Sequence, residues 1–245
     1  GPVQVGGYSI RTWNGEYRGE QTMTEVIQHS SNVGMVFVGN KLGKDKLLDY
    51  MGDFGFGQLT GVDLEDEATP QIRERSQWGE IDLATASFGQ GIAVTPIQMV
   101  RAVSVIATGG WLMEPYVVKS IRDTKGKVAE IKPKRVRRVL GKEAADVMTE
   151  MMVNAVDNGE AKWAKPKGYR IAGKTGTAQI PVAGHYDATK TIASFIGFAP
   201  ADDPKFVMLV TLREPTSSPW GSETAAPLFF AIVRDVFLYK NILPR

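Results

Sequence analysis

The segment from Arg170 to Gln179 concentrates side chains that can hold an anion or take part in group transfer. Its ten residues include two cations, Arg170 and Lys174, together with two threonines, two glycines and an apolar Ile-Ala pair. Two kinds of site use such a segment: a loop that wraps phosphate with its backbone, and the wall of an acyl-transfer site that holds a carboxylate. The surrounding sequence decides between these two interpretations.

The phosphate-loop interpretation rests on a complete pattern match. Gly168 to Thr175 fits Gly-x-x-x-x-Gly-Lys-Ser/Thr letter for letter. A phosphate loop follows a buried strand and opens a helix, whereas Glu160 to Lys167 is polar and Gly176, Pro181 and Gly184 would break any helix that followed. A P-loop NTPase therefore stays a remote alternative, which a nucleotide-binding assay would test.

The acyl-transfer interpretation treats Lys174-Thr175-Gly176-Thr177 as a strand that grips the substrate. A cation and two hydroxyls suit a carboxylate, the glycine leaves room for a substrate backbone, and a strand N–H can donate to an oxyanion. Strict alternation would place Lys174 and Gly176 on the face opposite the threonines, unless the strand twists or lies at a sheet edge. Taken alone, the tetrapeptide is equally compatible with a plain strand that carries a surface lysine.

A second triplet, Ser30-Ser31-Asn32, strengthens the acyl-transfer interpretation. Lys-Thr-Gly and Ser-x-Asn are two elements of the serine penicillin-recognising signature, whose third element is Ser-x-x-Lys. By itself the triplet would be interpreted as a helix-interrupting cap, because its side chains bond to nearby backbone groups. The two triplets in one chain favour an acyl-transfer site.

These residues and their surroundings resemble the transpeptidase domain of class B penicillin-binding proteins, the monofunctional peptidoglycan cross-linking enzymes of cell division and elongation. The similarity runs from about Val3 to Ile242. It implies an α/β fold of the α+β type, in which an antiparallel sheet is flanked by helices and joined to a helical subdomain, as in serine β-lactamases. The matching stretches are His29 to Met35, Ser87 to Gln98, the Lys-Thr-Gly-Thr segment, Ala193 to Pro200 and Ala225 to Phe229.

The resemblance implies a mechanism and three catalytic residues. In the family, a serine attacks the penultimate D-alanine carbonyl of a stem peptide, the terminal D-alanine leaves, and an amine of a neighbouring stem resolves the acyl-enzyme. Ser30 is implied to relay a proton to the leaving nitrogen, and Asn32 to hold the substrate amide. Lys174 is implied to hydrogen-bond Ser30 and to supply positive potential.

Substrate binding is implied for the rest of the strand. Thr175 and Thr177 would hold the substrate carboxylate, Gly176 would face the substrate backbone, and the Thr177 N–H would form half of the oxyanion hole. The implied ligands are peptidoglycan stem peptides and the β-lactams that mimic them, with no cofactor. The parent protein is expected at the outer face of the bacterial cytoplasmic membrane, anchored there and working with a glycosyltransferase, although the fragment itself is expected to be soluble.

One element of the family pattern is missing from this sequence. None of the eleven serines has a lysine three positions later, so the chain contains no Ser-x-x-Lys nucleophile. We expect an N-terminally truncated transpeptidase domain over residues 3–245, with Gly1-Pro2 as the remnant of a cleaved tag, an unpaired sheet edge, and no activity of the chain alone. The alternative is a non-catalytic binding or structural fragment of the same fold.

Composition excludes several other classes of function. A formal net charge of +2 over 245 residues gives no electrostatic case for binding nucleic acid. The sequence has no cysteine and only two histidines, His29 and His185, so neither a thiolate nor a His-rich metal site is expected, and both histidines are expected to be surface or satisfied residues.

The elements that must position these residues can be predicted from caps and periodicity. A capping box at Thr22 predicts a helix from Met23 to His29, which Ser30-Ser31-Asn32 interrupts before a second helix. Phe206 to Leu212 is almost entirely apolar and is expected to be a strand buried on both faces. Further helices are expected over residues 44–51, 81–88, 96–107, 143–158 and 222–241. Strands are expected over residues 3–10 and 192–199, and a β-hairpin is expected with strands over residues 116–123 and 127–131.

Overall fold

The computed structural model describes residues 1–182 and 185–244, except for the side chains of residues 181, 182 and 185–189. Seven α-helices and nine strands lie in the described part of the chain. The helices are α1 (Met23–Gln28), α2 (Asn32–Leu42), α3 (Lys44–Asp53), α4 (Glu80–Ser87), α5 (Pro96–Ala107), α6 (Lys142–Asn158) and α7 (Ala225–Tyr239). The strands are β1 (Val3–Val5), β2 (Tyr8–Ile10), β3 (Trp111–Glu114), β4 (Ser120–Arg122), β5 (Val128–Glu130), β6 (Lys134–Arg138), β7 (Ala172–Val182), β8 (His185–Ala199) and β9 (Phe206–Arg213).

The central sheet is antiparallel, with the strand order β7-β8-β9. Three smaller antiparallel pairs, β1–β2, β3–β6 and β4–β5, lie outside it. The sequence predicts the β1–β2 segment and the β4–β5 hairpin, but not β3, which is four residues long and pairs only with the distant β6. Helices packed on an antiparallel sheet, together with the helical block α1–α4, confirm the predicted fold class.

Both faces of the central sheet are covered by helices. Phe195 of β8 packs against Phe229 and Phe230 of α7, at ring-centroid separations of 4.5 and 5.1 Å. Phe198, three residues along the same strand, packs on the opposite face with Met152 of α6 and partly buried side chains of α5. The sheet that carries Lys174 is therefore held between two apolar layers.

The predicted burial of strand β9 is wrong in its extent. Among its side chains only Val210 is fully buried, whereas Phe206 to Leu209 are half-buried. The reason is position, because β9 pairs with β8 on one side and has no partner strand on the other side among the described residues. An apolar sequence thus predicts the strand correctly but not its place at the edge of the sheet.

Helix ends follow the predicted caps closely. The Thr22 hydroxyl accepts a hydrogen bond from the Glu25 N–H, and the Glu25 carboxylate accepts one from the Thr22 N–H at 2.7 Å. Thr95 caps α5 in the same way with Gln98, and Pro96 occupies the first turn. None of the described helices is both long and apolar enough to cross a lipid bilayer.

Candidate active site

The first wall of the candidate site is the junction between helices α1 and α2. Ser31 caps α2, its hydroxyl accepting a hydrogen bond from the Gly34 N–H at 3.1 Å. Ser30 bridges the two helices in a left-handed conformation with φ of 51°, which is unfavourable for a residue with a side chain. Strained backbone of this kind persists where the surroundings fix it, and it often marks a functional position.

Close packing fixes this junction. A Cβ atom on Gly34 would lie 2.8 Å from a methyl carbon of Val26, so only glycine lets α2 approach α1 so closely. Asn32 opens α2, and its amide donates to the Arg11 carbonyl at 3.0 Å. This bond ties the Ser-x-Asn triplet to the segment that follows β2.

The second wall is strand β7, which forms an edge of the central sheet. Lys174 to Thr177 pair in sequence with Ile196 back to Ala193 of β8. A Cβ atom on Gly176 would lie 2.5 Å from the Ser194 hydroxyl, so the absence of a side chain at Gly176 leaves room for the Ser194 side chain. Because β7 has no second neighbouring strand within the described part of the chain, side chains from both of its faces reach the same cleft at its open edge.

The Lys174 amine lies beside Thr175 in spite of strand alternation. Its Nζ atom donates to the Thr175 carbonyl at 3.1 Å and to the Thr175 hydroxyl at 3.3 Å. Burial lowers the pKa of Lys174 to about 8, and the negative charge of Glu160 partly opposes this shift. The amine is therefore a desolvated cation that is still mostly protonated at neutral pH.

The third wall is the loop that precedes α7. The Gly221 N–H donates to the Thr177 hydroxyl at 3.0 Å, and the Thr191 hydroxyl donates to the Pro219 carbonyl at 2.8 Å. The adjacent Trp220 ring meets the edge of Trp13 at a centroid separation of 5.2 Å and an interplanar angle of 61°. This aromatic contact joins the loop to the N-terminal segment across the cleft.

These walls enclose a cleft of about 560 Å³. All six residues that the sequence singled out line it: Ser30, Asn32, Lys174, Thr175, Gly176 and Thr177. The remaining lining residues were not predicted as site residues, and Trp13, Glu160 and Trp220 are among them. These three belong to no motif, and only the tertiary fold brings them to the cleft.

Two expectations from the sequence concern Lys174: its contact with Ser30, which stays a prediction, and the phosphate-loop alternative. Lys174 donates to Thr175, and the described residues show no hydrogen bond between Lys174 and Ser30. The phosphate-loop alternative is wrong, because Lys174 and Thr175 lie inside strand β7 rather than at the start of a helix.

His29 lies outside the cleft lining given by the described residues. His29 caps the C-terminal end of α1, where its carbonyl accepts a hydrogen bond from the Trp13 indole at 3.3 Å. Burial lowers the pKa of its imidazole, which favours the neutral form. The side chain of His185 is outside the described residues.

The chain belongs to the penicillin binding protein transpeptidase domain family, whose model matches residues 2–234. Stage V sporulation protein D of Bacillus subtilis strain 168 is 41% identical over 248 residues, covering 100% of this chain and 38% of that protein. Peptidoglycan D,D-transpeptidase FtsI of Escherichia coli K12 is 32% identical over 246 residues, covering 99% of this chain and 40% of that protein. The chain therefore spans about two fifths of the length of these relatives.

Solved structures agree with this assignment. The crystal structure of penicillin binding protein 3 from Mycobacterium tuberculosis complexed with ampicillin has a TM-score of 0.91 and 30% identity, covering 100% of this chain and 56% of that one. The transpeptidase domain of Burkholderia pseudomallei penicillin-binding protein 3 has a TM-score of 0.88 and 31% identity, covering 100% of this chain and 72% of that one. The family and the fold predicted from the sequence are thus confirmed.

Proposed function

We propose that this chain is the substrate-gripping part of a peptidoglycan D,D-transpeptidase domain, which acts by serine acyl transfer on stem peptides ending in D-Ala-D-Ala and is a target of β-lactams. One observation carries the proposal: Ser30 and Asn32 from a helix junction line the same cleft as Lys174, Thr175 and Thr177 from an edge strand. Family membership supports it, and so do relatives named as peptidoglycan D,D-transpeptidases.

The β7 wall suits a carboxylate ligand. Lys174 supplies a cation in a partly desolvated setting, where its attraction for an anion exceeds that of an exposed lysine. The Thr175 and Thr177 hydroxyls can donate to carboxylate oxygens, and Gly176 leaves the strand open to a substrate backbone. These groups recognise the C-terminal carboxylate of D-Ala-D-Ala, and the Thr177 N–H provides one oxyanion donor.

Ser30 and Asn32 act on the scissile amide in this proposal. A serine oxygen bonds to the penultimate carbonyl carbon, the bond from that carbon to the terminal D-alanine nitrogen breaks, and the serine proton reaches the departing nitrogen through Ser30. Asn32 orients the substrate amide. Lys174 stabilises the carboxylate throughout and needs no change in protonation for this step.

The attacking serine is not identified within this chain, since none of its serines is followed by lysine at the third position. We predict that the chain alone forms no covalent penicillin adduct. Mass spectrometry after incubation with a fluorescent penicillin measures this directly. A stoichiometric acylated species would contradict the prediction.

The matched experiment supplies the missing element. The same labelling is carried out on a protein that joins a Ser-x-x-Lys segment of the parent protein to this chain, with Lys174→Ala as the control. Labelling of the longer protein and its loss in the Lys174 variant are expected. Absence of labelling in the longer protein would favour a non-catalytic binding fragment of the same fold.

The cellular setting follows from the same proposal. Peptidoglycan stem peptides lie outside the cytoplasmic membrane, so the parent protein acts at the bacterial cell envelope in division or elongation. Membrane anchorage and a partner glycosyltransferase, which would supply the glycan strands to be cross-linked, belong to this proposal. Co-purification of the parent protein with a glycosyltransferase from solubilised membranes tests the partnership.

A further inference from the structure

The candidate cleft carries one acidic and one basic side chain among its described lining residues. Of the twenty residues that line it, only Glu160 and Lys174 have side chains that ionise near neutral pH. The other lining residues are apolar, aromatic, hydroxyl or amide side chains, with one glycine. The electrostatic character of the cleft therefore depends on how these two groups affect each other.

Glu160 is held in place from both sides along the chain. Its predecessor Gly159 ends α6 so tightly that a Cβ atom there would lie 2.2 Å from the Ala155 carbonyl oxygen. Its successor Ala161 is buried in the same apolar cluster as Ile171, which closely precedes β7. A backbone anchored in this way gives Glu160 a fixed position relative to β7.

The same segment is fastened to the Ser30 side of the cleft. Gln28 at the end of α1 accepts a hydrogen bond from the Asn154 amide at 2.8 Å and donates to the Asn158 carbonyl at 3.4 Å. These two bonds join α1 to the end of α6. Glu160 therefore follows a helix that is tied to α1, and it lines the same cleft as Ser30 and Lys174.

Among the described residues, neither Glu160 nor Lys174 forms a salt bridge. Among the described residues, the Glu160 carboxylate makes no ion pair within 4.0 Å and no hydrogen bond, and the Lys174 amine bonds only to uncharged Thr175 groups. The two groups nevertheless interact electrostatically. The charge of Lys174 lowers the pKa of Glu160, and the charge of Glu160 raises the pKa of Lys174, so each favours the ionised form of the other. The Glu160 charge thus acts on Lys174 and on any ligand that occupies the cleft.

We propose that Glu160 is a positioning residue for Lys174: its carboxylate keeps the Lys174 amine in the protonated, anion-binding form and thereby sets the upper pH limit of substrate binding. The part of this inference that concerns substrate rests on the proposed function, whereas the effect on Lys174 itself does not.

The Glu160 carboxylate has two opposing effects on the binding of an anionic ligand. Burial lowers the pKa of Lys174 to about 8 even with Glu160 present, so loss of the Glu160 charge lowers that pKa further. Partial burial raises the pKa of Glu160, and the positive charge of Lys174 opposes this rise. Much of the Glu160 side chain is nevertheless exposed to solvent. The Glu160 carboxylate also repels the carboxylate of the substrate, which weakens binding at any pH where Lys174 is fully protonated.

These two effects predict that the change in ligand affinity caused by Glu160→Gln reverses its sign with pH. In Glu160→Gln at pH 6.5 the repulsion is gone and Lys174 is still largely protonated, so affinity for a carboxylate ligand should equal or exceed that of the unmodified chain. At pH 8.5 the variant has lost more of the Lys174 charge, so its affinity should be several-fold lower. A merely structural role would lower affinity at both pH values.

The first test measures the Lys174 amine without any ligand. Lysine side chains labelled with ¹⁵N and ¹³C are titrated by NMR, and the Lys174 resonance is assigned from its absence in Lys174→Arg. The midpoint for Lys174 is expected to move down in Glu160→Gln, because the negative charge that favours the protonated amine is gone. An unchanged midpoint would overturn the inference whatever the function of the protein.

The second test measures binding of diacetyl-L-lysyl-D-alanyl-D-alanine by calorimetry from pH 6 to 9. Glu160→Asp, which keeps the negative charge, should retain most of the upper pH limit of binding seen in the unmodified chain. Glu143→Gln removes an exposed charge from the start of α6, outside the cleft lining, and should leave the profile unchanged. Parallel profiles for Glu160→Gln and the unmodified chain would contradict the inference, whereas absence of binding by the unmodified chain at every pH would count against the proposed function instead.

Discussion

At the scale of single residues, Lys174 shows how a binding group can oppose stability. A lysine whose pKa falls from 10.5 to about 8 on burial is charged at neutral pH in a place that disfavours charge. Its hydrogen bonds to Thr175 offset only part of this cost. The cleft therefore contains a cation that binding needs and folding does not favour.

Lys174→Met should accordingly stabilise the chain while removing carboxylate binding. We expect the free energy of unfolding at pH 7 to rise by about 1–3 kcal/mol, because one pKa unit corresponds to about 1.4 kcal/mol. Urea denaturation followed by circular dichroism measures the change. The exposed Lys132→Met provides the control and should change stability by less than about 0.5 kcal/mol.

The sign of the pH dependence follows from the lowered pKa. Between about pH 8 and 10.5 the unfolded lysine holds more protons than the folded one, so the stability of the unmodified chain rises with pH in that window. The advantage of Lys174→Met should be complete below pH 8 and disappear as pH approaches 10.5. A difference that stays constant across this window would show that lost packing, and not lost charge, controls the effect.

At the scale of elements, the cleft depends on how the loop before α7 meets the edge of the sheet. Gly221 approaches the β7 and β8 backbones so closely that a Cβ atom would lie 2.4 Å from the Gly176 oxygen and 2.5 Å from the Ser194 oxygen. Both neighbours are backbone atoms, which cannot rotate away. The hydrogen bond from the Gly221 N–H to Thr177 requires this approach.

Gly221→Ala should push the loop away from β7 and break its bond to Thr177. We expect a loss of stability of about 1–3 kcal/mol, typical of overpacking, together with weaker ligand binding. Thermal unfolding and calorimetry measure the two effects. Gly141→Ala at the N-cap of α6, where a Cβ atom meets nothing within 4 Å, should change neither by a comparable amount.

The sequence predicts elements well where the controlling interactions are local. Thr95-Pro96 and Ser31 begin helices as expected, because caps act within four residues. Strand β3 was missed and the burial of β9 was overestimated, because pairing with β6 and a place at the sheet edge are tertiary properties. Local pattern predicts an element, but its neighbours determine its burial.

The same distinction applies to the cleft. Ser30, Asn32 and the Lys174 strand were identified because their triplets match two elements of a known signature, and the structure brings them to one cavity. Trp13, Glu160 and Trp220 carry no such pattern, and their positions follow only from chain packing. The chemical contribution of each residue remains a prediction until the variants are measured.

At the scale of the whole molecule, one apolar cluster connects the sheet, α6 and α7. Phe229 is fully buried in it and contacts Phe195 of β8 and Phe230 of α7. The cluster also holds Ala161, which anchors the segment that carries Glu160. Stability of the core and placement of the cleft residues are therefore linked.

Phe229→Ala should destabilise the molecule by about 3–5 kcal/mol, the usual cost of removing a buried phenyl ring. The neighbouring Leu228→Ala is the matched control, since Leu228 is 43% exposed and its truncation should cost less than about 1 kcal/mol. Urea midpoints measure both. Similar losses in the two variants would show that α7 does not use Phe229 as its main contact with the sheet.

The edge contact between Trp13 and Trp220 gives the molecule an optical property of its own. The two indoles belong to segments that are far apart in the chain, and they stay within 5.2 Å only while the cleft keeps its shape. Their coupled absorption and fluorescence should therefore respond to anything that enters or spreads the cleft, without an added label. Replacing either tryptophan with phenylalanine identifies that signal against the remaining tryptophans of the chain.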